Sequence, residues 1–218
     1  TNYTVFGQTL NTSVVNVEGD TNLSYYDTIN NAITPIIISG SSGMSCRWSS
    51  SDISYSIMSN SCSVVGSQGN CSINDIASQG FYTRYVSCQD TYGNNQSASD
   101  NLNVQFYLDY TTPNTTDDSS TNIKVPTYVV NITEFDNVDS DPTSYYCTDT
   151  IGACTPTTSI DNSSQVSFST RGTSYLRYYS VDDARNTQST ANKTININRL
   201  PVLTSASDNA ATILGGTT

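Results

Sequence analysis

The chain contains no histidine, only two glutamates and only two lysines among its 218 residues. Without histidine, neither a serine–histidine acyl-transfer triad nor a histidine-ligated zinc site can be assembled. Aspartate is abundant, but no pair of aspartates stands out as a general acid and base. We therefore predict that the chain is not an enzyme.

Charge and long apolar runs are also scarce. Charged residues make up 12% of the chain, the formal net charge is −11, and the eight Lys and Arg residues form no basic stripe. Binding to nucleic acid or to an anionic membrane surface has no electrostatic basis in such a sequence. No apolar run approaches the roughly 18 residues needed to span a bilayer. The acidic surface is compatible with solubility or with divalent cations.

Small polar residues and tyrosine dominate instead. The chain has 34 Ser, 31 Thr, 23 Asn, 17 Asp and 15 Tyr. Ser, Asn and Asp compete with the helical backbone through their short side chains, whereas Thr, Tyr, Val and Ile suit a pleated strand. The hydrophobic content of 35% indicates thin cores faced with tyrosine. This composition predicts an all-β protein.

Two stretches of the chain are nearly the same. RYVSCQDTYGNNQS begins at Arg84, and RYYSVDDARNTQS begins at Arg177, 93 residues later, whereas Asp90 and Asp182 are 92 residues apart. A strand-like run follows each stretch. Short runs of this kind, separated by clusters of Gly, Asn, Asp and Ser, are typical of an antiparallel β-sandwich. The self-similarity therefore predicts two tandem sandwich domains.

The ends of the domains are predicted from two prolines, Pro113 and Pro201, which are 88 residues apart and follow the two strand-like runs. The interpretation divides the chain into an N-terminal extension (1–15), a first domain (16–110), a second domain (113–200) and a C-terminal strand (201–218). The last segment is similar to the start of a further repeat. A single strand cannot form a sandwich by itself.

The repeat also predicts which residues face the core. Tyr82, Arg84, Val86 and Cys88 alternate along one face of a strand, and the alignment of Arg84 with Arg177 places Tyr175, Arg177, Tyr179 and Val181 on the matching face. Cys88 is therefore expected to stand where Val181 stands and to point into the core.

Six cysteines, none in C-x-x-C spacing, favour disulfides and an oxidising, extracellular setting. An inward Cys88 needs an inward partner from early in its domain, and Cys46 is the candidate. The other expected pairs, Cys62–Cys71 and Cys147–Cys154, each flank a short segment that contains glycine. The four cysteines of the first domain allow three pairings. Trp48 either covers the Cys46 bridge or, with exposed tyrosines, offers a platform for sugars.

Asn-x-Ser/Thr sequons occur nine times, although this composition produces about seven by chance. Their even spread, combined with the cysteine pattern, favours N-linked glycans on some of them. The nine acceptors are Asn2, Asn11, Asn22, Asn70, Asn95, Asn114, Asn131, Asn162 and Asn192.

A calcium site is a weaker hypothesis. Asp136, Asp139 and Asp141 in FDNVDSDPT, with Asp117-Asp118 after the interdomain joint, could supply oxygen ligands between the domains. Their spacing lacks the order of a helical calcium loop, and no nearby Glu stands where a bidentate ligand would be expected, so ordinary turn chemistry is the alternative.

The repeated pattern Arg-Tyr-x-Ser-x-x-Asp-x-x-x-Asn-x-Gln-Ser resembles the Asp-x-Ala-Gly-Asn ending of Ig-like and fibronectin-like repeats in prokaryotic, particularly archaeal, surface proteins. The motif glycine is Gly93 in the first copy, and Arg185 takes its place in the second. The resemblance implies an all-β fold of two tandem antiparallel Ig-like β-sandwich domains with strand-like terminal extensions. It also implies stalks, surface coats, adhesins and glycosylated filaments joined by a donated strand, and it carries no catalytic residues.

These observations predict a structural subunit of an extracellular, cell-surface filament that associates with itself by strand donation. The alternative is an adhesin or carbohydrate-binding stalk that binds glycans or other surface proteins. The apolar side chains available for insertion lie at both ends of the chain, with the front slightly preferred: Tyr3, Val5, Val14 and Val15 at the front, and Val202, Leu203, Ile213 and Leu214 at the back.

Overall fold

The computed structural model describes residues 26–120 and 127–198 with their side chains. Before residue 26 it describes only the backbone of three strands, β1 (Asn2–Val5), β2 (Gln8–Asn11) and β3 (Ser13–Val17). Strands β1 and β2 pair with each other as an antiparallel hairpin. The predicted start of the first domain, at residue 16, falls inside β3.

The first sandwich consists of β3 and eight further strands that form two sheets. The sheet orders are β3-β5-β9-β8 and β4-β11-β10-β6-β7, and all pairs are antiparallel except β4 with β11. The eight strands are β4 (Tyr26–Asp27), β5 (Thr34–Ser39), β6 (Ser45–Ser49), β7 (Asn60–Ser61), β8 (Ser63–Val65), β9 (Gln68–Ile73), β10 (Gly80–Gln89) and β11 (Leu102–Leu108).

The core of this sandwich follows from strict alternation along the strands. In β5, Ile36 and Ile38 are buried while their neighbours are half-buried, as expected of a strand with one face in the core. They pack against Trp48 and Phe106 from the opposite sheet. Trp48 is only 2% exposed, which rules it out as a sugar platform and leaves the structural interpretation.

The second sandwich is smaller and has no counterpart of the parallel strand β4 among the described residues. Its sheets have the orders β12-β13-β16 and β15-β14-β17-β18, with antiparallel pairing throughout. The strands are β12 (Asn114–Asp117), β13 (Tyr128–Phe135), β14 (Thr143–Asp149), β15 (Thr158–Ile160), β16 (Gln165–Phe168), β17 (Gly172–Val181) and β18 (Ala191–Ile197).

Its core contains both apolar and polar layers. Apolar residues from both sheets form the main cluster: Val130, Ile132, Val166, Phe168, Leu176, Tyr178, Ile195 and Ile197. Beside it lies a buried polar group in which the Ser144 hydroxyl donates to Glu134 and the Thr115 hydroxyl donates to Ser180 at 2.6 Å. Polar side chains buried in this way are stable because each finds a hydrogen-bond partner.

The alignment of Arg84 with Arg177 predicts the wrong core face for the second sandwich. The structure buries Leu176, Tyr178 and Ser180, whereas Arg177 and Val181 are only half-buried. The turns show the true correspondence, because Gln96 N donates to Cys88 O just as Gln188 N donates to Ser180 O. Cys88 therefore matches Ser180, not Val181. A shift of one residue exchanges the two faces of a strand. The two Arg-Tyr pairs therefore do not occupy equivalent positions in the two sandwiches.

The repeated turn itself is built identically in both copies. The carboxylates of Asp90 and Asp182 each accept hydrogen bonds from the backbone and side-chain amides of the Asn four residues later. Gly93 has a φ of 87° and Arg185, at the same position, a φ of 68°. A left-handed conformation favours glycine, so Arg185 holds it at a cost that the surrounding turn bonds offset.

These observations confirm an all-β fold of two Ig-like sandwiches. The helical content of residues 26–120 and 127–198 is a single 3-10 turn, Ala98–Asp100. No helix within the described part of the chain has the length and hydrophobicity required to cross a bilayer.

Candidate functional site between the two sandwiches

Three aspartates meet where the first sandwich joins the second. Asp109 directly follows β11, the last strand of the first sandwich, while Asp136 follows β13 and Asp182 follows β17. Each of the three offers a carboxylate oxygen, and these oxygens all lie within 4.8 Å of one another. The junction therefore gathers side chains from three strand ends and from both sandwiches.

The three side chains are buried, and those of Asp109 and Asp136 are only partly satisfied. Their residues are 0%, 8% and 5% exposed for Asp109, Asp136 and Asp182, respectively. A backbone amide donates to Oδ1 of each carboxylate. For example, Thr111 N donates to Asp109 Oδ1 at 3.2 Å, and Val138 N donates to Asp136 Oδ1 at 2.8 Å. Oδ2 of Asp109 and Oδ2 of Asp136 are buried with no hydrogen-bond partner. A buried carboxylate oxygen without a partner is costly, and such an atom requires an explanation.

The electrostatics are those of crowded negative charge. Burial, supplemented by the carboxylates of Asp182 and Asp136, raises the pKa of Asp109 to about 7, although the amide of Thr111 opposes the shift. Burial also raises the pKa of Asp182, and the charge of Asp136 adds to this, against the hydrogen bonds from Asn186. The ion pairs Arg84–Asp75 and Lys193–Asp117 do not involve these three aspartates.

A second layer of polar contacts surrounds the cluster. Asn186 Nδ2 donates to the main-chain oxygen of Asp109 at 3.1 Å, and Asp183 N donates to Asp139 Oδ2 at 2.9 Å. The Tyr26 side chain, from the first sandwich, forms a hydrogen bond with Asp183. Burial and the nearby charge of Asp183 raise the pKa of Tyr26 to about 12. The bonds of Asn186 with Asp109 and of Tyr26 with Asp183 join the turn of the second sandwich to the first sandwich.

The structure changes the membership of the proposed calcium site. Asp136 belongs to the cluster, whereas Asp139 and Asp141 lie beside it, with the Asp141 amide donating to Asp139 Oδ1 at 2.9 Å. Asp117 and Asp118 lie elsewhere, on and after β12, where Asp117 is paired with Lys193. Sequence reasoning missed Asp109 and Asp182. The sequence signal for Asp182 is that both copies of the repeated turn contain this aspartate. The signal for Asp109 is that it is the acidic residue at the end of a strand-like run, shortly before Pro113.

Three disulfides join the pairs that were expected: Cys46–Cys88, Cys62–Cys71 and Cys147–Cys154. Cys46 and Cys88 lie directly opposite each other on β6 and β10 in the core. Cys71 lies on β9 and is buried, and Cys62 precedes the hairpin of β8 and β9. Cys154 closes a loop in which Asp149 accepts the amides of Gly152, Ala153 and Cys154.

The sequons differ in accessibility. Asn70, Asn114, Asn162 and Asn192 are exposed, whereas Asn95 and Asn131 are half-buried. Asn95 Oδ1 accepts from Gln89 at 2.7 Å, and Asn131 Nδ2 donates to Asp118. The side chains of Asn2 and Asn11 and the whole of Asn22 lie outside the described residues.

The candidate donor residues can be placed only in part. Tyr3 and Val5 lie on β1, and Val14 and Val15 lie on β3, where the structure describes backbone alone. The candidates at the back, Val202, Leu203, Ile213 and Leu214, lie outside the described residues.

Comparison with known proteins identifies no family. No protein-family model matches the chain, and no curated protein matches it. Among solved structures, it is similar to the fibronectin(III)-like modules of Clostridium thermocellum CbhA, with a TM-score of 0.43 and 9% identity over 86% of this chain and 94% of that one. It is also similar to a chain of a cytokine receptor complex, with a TM-score of 0.32 and 10% identity over 85% of this chain and 96% of that one.

Proposed function

We propose that this chain is a structural subunit of an extracellular, glycosylated cell-surface filament. The subunits assemble head to tail, each donating strand β3, near its N-terminal end, to a neighbour. The observation that carries the proposal is the position of β3. This strand lies near the N-terminal end of the chain and, among the strands that the structure describes, pairs only with β5, at the edge of a sheet.

The pairing of β3 is of a kind that a second copy can reproduce. Ser13 lies opposite Ser39 and Val17 opposite Ile36, with a bulge between Val14 and Asn16. Without β3, the backbone of β5 would become an open sheet edge, which is a template for pairing with another chain. The same segment from a neighbouring molecule can fill that edge through main-chain hydrogen bonds. Because the donor and the acceptor edge are different surfaces, repeated exchange gives an open filament rather than a closed dimer.

The remaining features support an extracellular role. Three disulfides are typical of proteins that fold in an oxidising compartment. Four exposed sequons, Asn70, Asn114, Asn162 and Asn192, are distributed over both sandwiches and offer positions for glycans on the outside of a fibre.

Electron microscopy of two truncations tests the strand donation. Removal of residues 1–17 deletes β3, whereas removal of residues 1–11 deletes the β1–β2 hairpin and leaves β3 in place. We expect the intact chain and the shorter truncation to form fibres, and the longer truncation to remain a folded monomer with β-type circular dichroism. Fibres formed by the longer truncation would show that the front segment is not the donor.

A second candidate function is that of an adhesin or carbohydrate-binding stalk. It is favoured by exposed aromatic rings, since Tyr92 is 75% exposed and Phe135 is 69% exposed. Aromatic faces of this kind can stack on sugars. An intact chain that stays monomeric and binds a glycan array would favour the stalk, and binding that survives Tyr92→Ala and Phe135→Ala would exclude these two rings as the platform.

A further inference from the structure

We propose that Asp109, Asp136 and Asp182 bind one calcium ion, which holds the two sandwiches together. Calcium takes six to eight oxygen ligands at 2.3–2.6 Å and prefers carboxylates and carbonyls. Two ligands on opposite sides of such an ion are about 4.6–5.2 Å apart. The separation of no more than 4.8 Å among the three carboxylate oxygens fits that span.

The unsatisfied atoms point to a cation rather than to ordinary turn chemistry. Turn bonds account for Oδ1 of Asp109 and of Asp136, which accept backbone amides. They leave Oδ2 of both residues buried and without a partner, at residues that are 0% and 8% exposed. A positive ion at the junction would satisfy both atoms at once and cancel the repulsion among three buried carboxylates.

The backbone bonds also prepare the cluster for an ion. The amides of Val138 and Asp139 hold Asp136, and the amide and side chain of Asn186 hold Asp182. Carboxylates fixed in this way lose little conformational freedom on binding. Water would complete the coordination beyond the three carboxylates, since calcium commonly keeps water ligands.

The consequence is a stiffened joint. Asp109 belongs to the first sandwich, whereas Asp136 and Asp182 belong to the second. An ion shared by the three would add to the hydrogen bonds that Asn186 forms with Asp109 and Tyr26 forms with Asp183 across the joint. The proposal does not depend on filament formation, and monomeric protein is sufficient to test it.

The test measures thermal unfolding and terbium luminescence of the full-length chain, first stripped of metal with a chelator. Calcium at about 5 mM, appropriate to the affinity of extracellular modules, should raise the melting temperature by about 3–5 °C. Terbium substitutes for calcium at oxygen sites and is excited by nearby tyrosine, here Tyr26 beside the cluster. We expect tyrosine-sensitised emission that added calcium reverses and magnesium reverses only at much higher concentration.

The variants Asp109→Asn, Asp136→Asn and Asp182→Asn test the three ligands from three different strand ends. Each replaces a buried charge by a neutral side chain of the same shape. Asp109→Asn and Asp136→Asn can place the new amide group at the unpartnered Oδ2 position, so these metal-free proteins should melt at the same or a higher temperature. Asp182→Asn loses one of the two acceptors of Asn186, so its metal-free protein should melt at a lower temperature. Calcium affinity should fall by about tenfold or more in each. Because the ligands lie on separate elements, the failure of one variant to fold leaves two others for the measurement.

Asp90→Asn is the matched control. Asp90 makes the same turn in the first sandwich that Asp182 makes in the second, but it is not part of the cluster. We expect this variant to keep the full response to calcium. The proposal is overturned if calcium leaves the melting temperature of the wild-type chain unchanged, or if the three cluster variants respond to calcium as strongly as Asp90→Asn does.

Discussion

Ser144 and Ser180 lie directly opposite each other on β14 and β17 of the second sandwich, at the position where Cys46 and Cys88 form a disulfide in the first. Both serines are 0% exposed. The Ser144 hydroxyl donates to Glu134, and Ser180 accepts from Thr115. The two sandwiches thus fill the same cross-strand site in different ways, one with a covalent bridge and the other with buried hydrogen bonds.

The double variant Ser144→Cys/Ser180→Cys should form a disulfide in air, with dissolved oxygen taking up the two electrons and two protons of the thiols. A loop of this length contributes about 4 kcal/mol by chain entropy. The loss of the hydrogen bond to the buried Glu134 carboxylate removes about 2 kcal/mol of this, so the net gain should be about 2 kcal/mol in the free energy of unfolding. Thiol titration and urea denaturation, with and without reductant, measure both effects. Two free thiols in the folded variant would contradict the equivalence of the two sites.

Removal of the native disulfides should have unequal effects. Cys46 and Cys88 are 42 residues apart, and Cys147 and Cys154 are 7 apart. Loop entropy predicts losses of about 4 kcal/mol for the first pair and about 2.5 kcal/mol for the second. Asp149, which holds three amides of the short loop, should reduce the second loss further. Urea denaturation of the two double-alanine variants measures this order, and equal losses would contradict it.

Asp117→Asn should destabilise the second sandwich in a pH-dependent way. Burial alone would raise the pKa of Asp117, but hydrogen bonds from Ser119 and Tyr178 and the charge of Lys193 outweigh it and lower the pKa. A lowered pKa stabilises the folded state above the ordinary value of about 3.9 and ceases to do so as the pH falls through the folded value. We expect a loss of about 1–2 kcal/mol at pH 7 that shrinks below about pH 4.

Urea denaturation between pH 3 and pH 7 measures this loss, with exposed Asp161→Asn as the control in the same sandwich. Tyr178→Phe removes the hydrogen bond to Asp117 Oδ2 and keeps the carboxylate, so its loss should be smaller than that of Asp117→Asn. A difference between wild type and Asp117→Asn that stays constant over the whole pH range would rule out the ionised carboxylate as the source of the stability.

Glycan occupancy should follow the exposure of the asparagine side chains. In a host that glycosylates secreted proteins, we expect glycans at the exposed Asn114 and Asn162. Occupancy should be lower at Asn131, whose Nδ2 is already bonded to Asp118, and at Asn95, which is bonded to Gln89. Mass spectrometry of tryptic glycopeptides measures each site. As a check on the cause, Asp118→Ala should increase occupancy at Asn131.

Composition was sufficient to predict the class of fold, because scarce helix formers and short apolar runs such as TPIIIS have few other solutions. The two-residue period of a strand was insufficient to fix the register. Cys88 was aligned with Val181 on repeated letters, and the structure matches it with Ser180. Sequence similarity alone did not choose between the 93-residue offset of Arg84 and Arg177 and the 92-residue offset of Asp90 and Asp182. The burial of Leu176 and Tyr178 in the core does, because a shift of one residue exchanges the two faces of a strand.

The candidate site divides in the same way. Asp136 belongs to the acidic segment FDNVDSDPT, which the sequence identifies as a group with Asp139 and Asp141. Asp109 and Asp182 come from strand ends far apart along the chain, so the sequence does not group them with Asp136.

The sequence by itself determined that this protein is built from strands and that it contains two similar units, since both follow from composition and local spacing. It suggested the cysteine pairs but left three pairings open in the first sandwich, and the structure selected Cys46–Cys88 and Cys62–Cys71. Only the tertiary structure decided which face of β17 is buried and which aspartates meet between the sandwiches. Both depend on how distant segments pack. For the aspartates, the cost of leaving Asp109 Oδ2 and Asp136 Oδ2 without partners arises only when the two sandwiches are brought together.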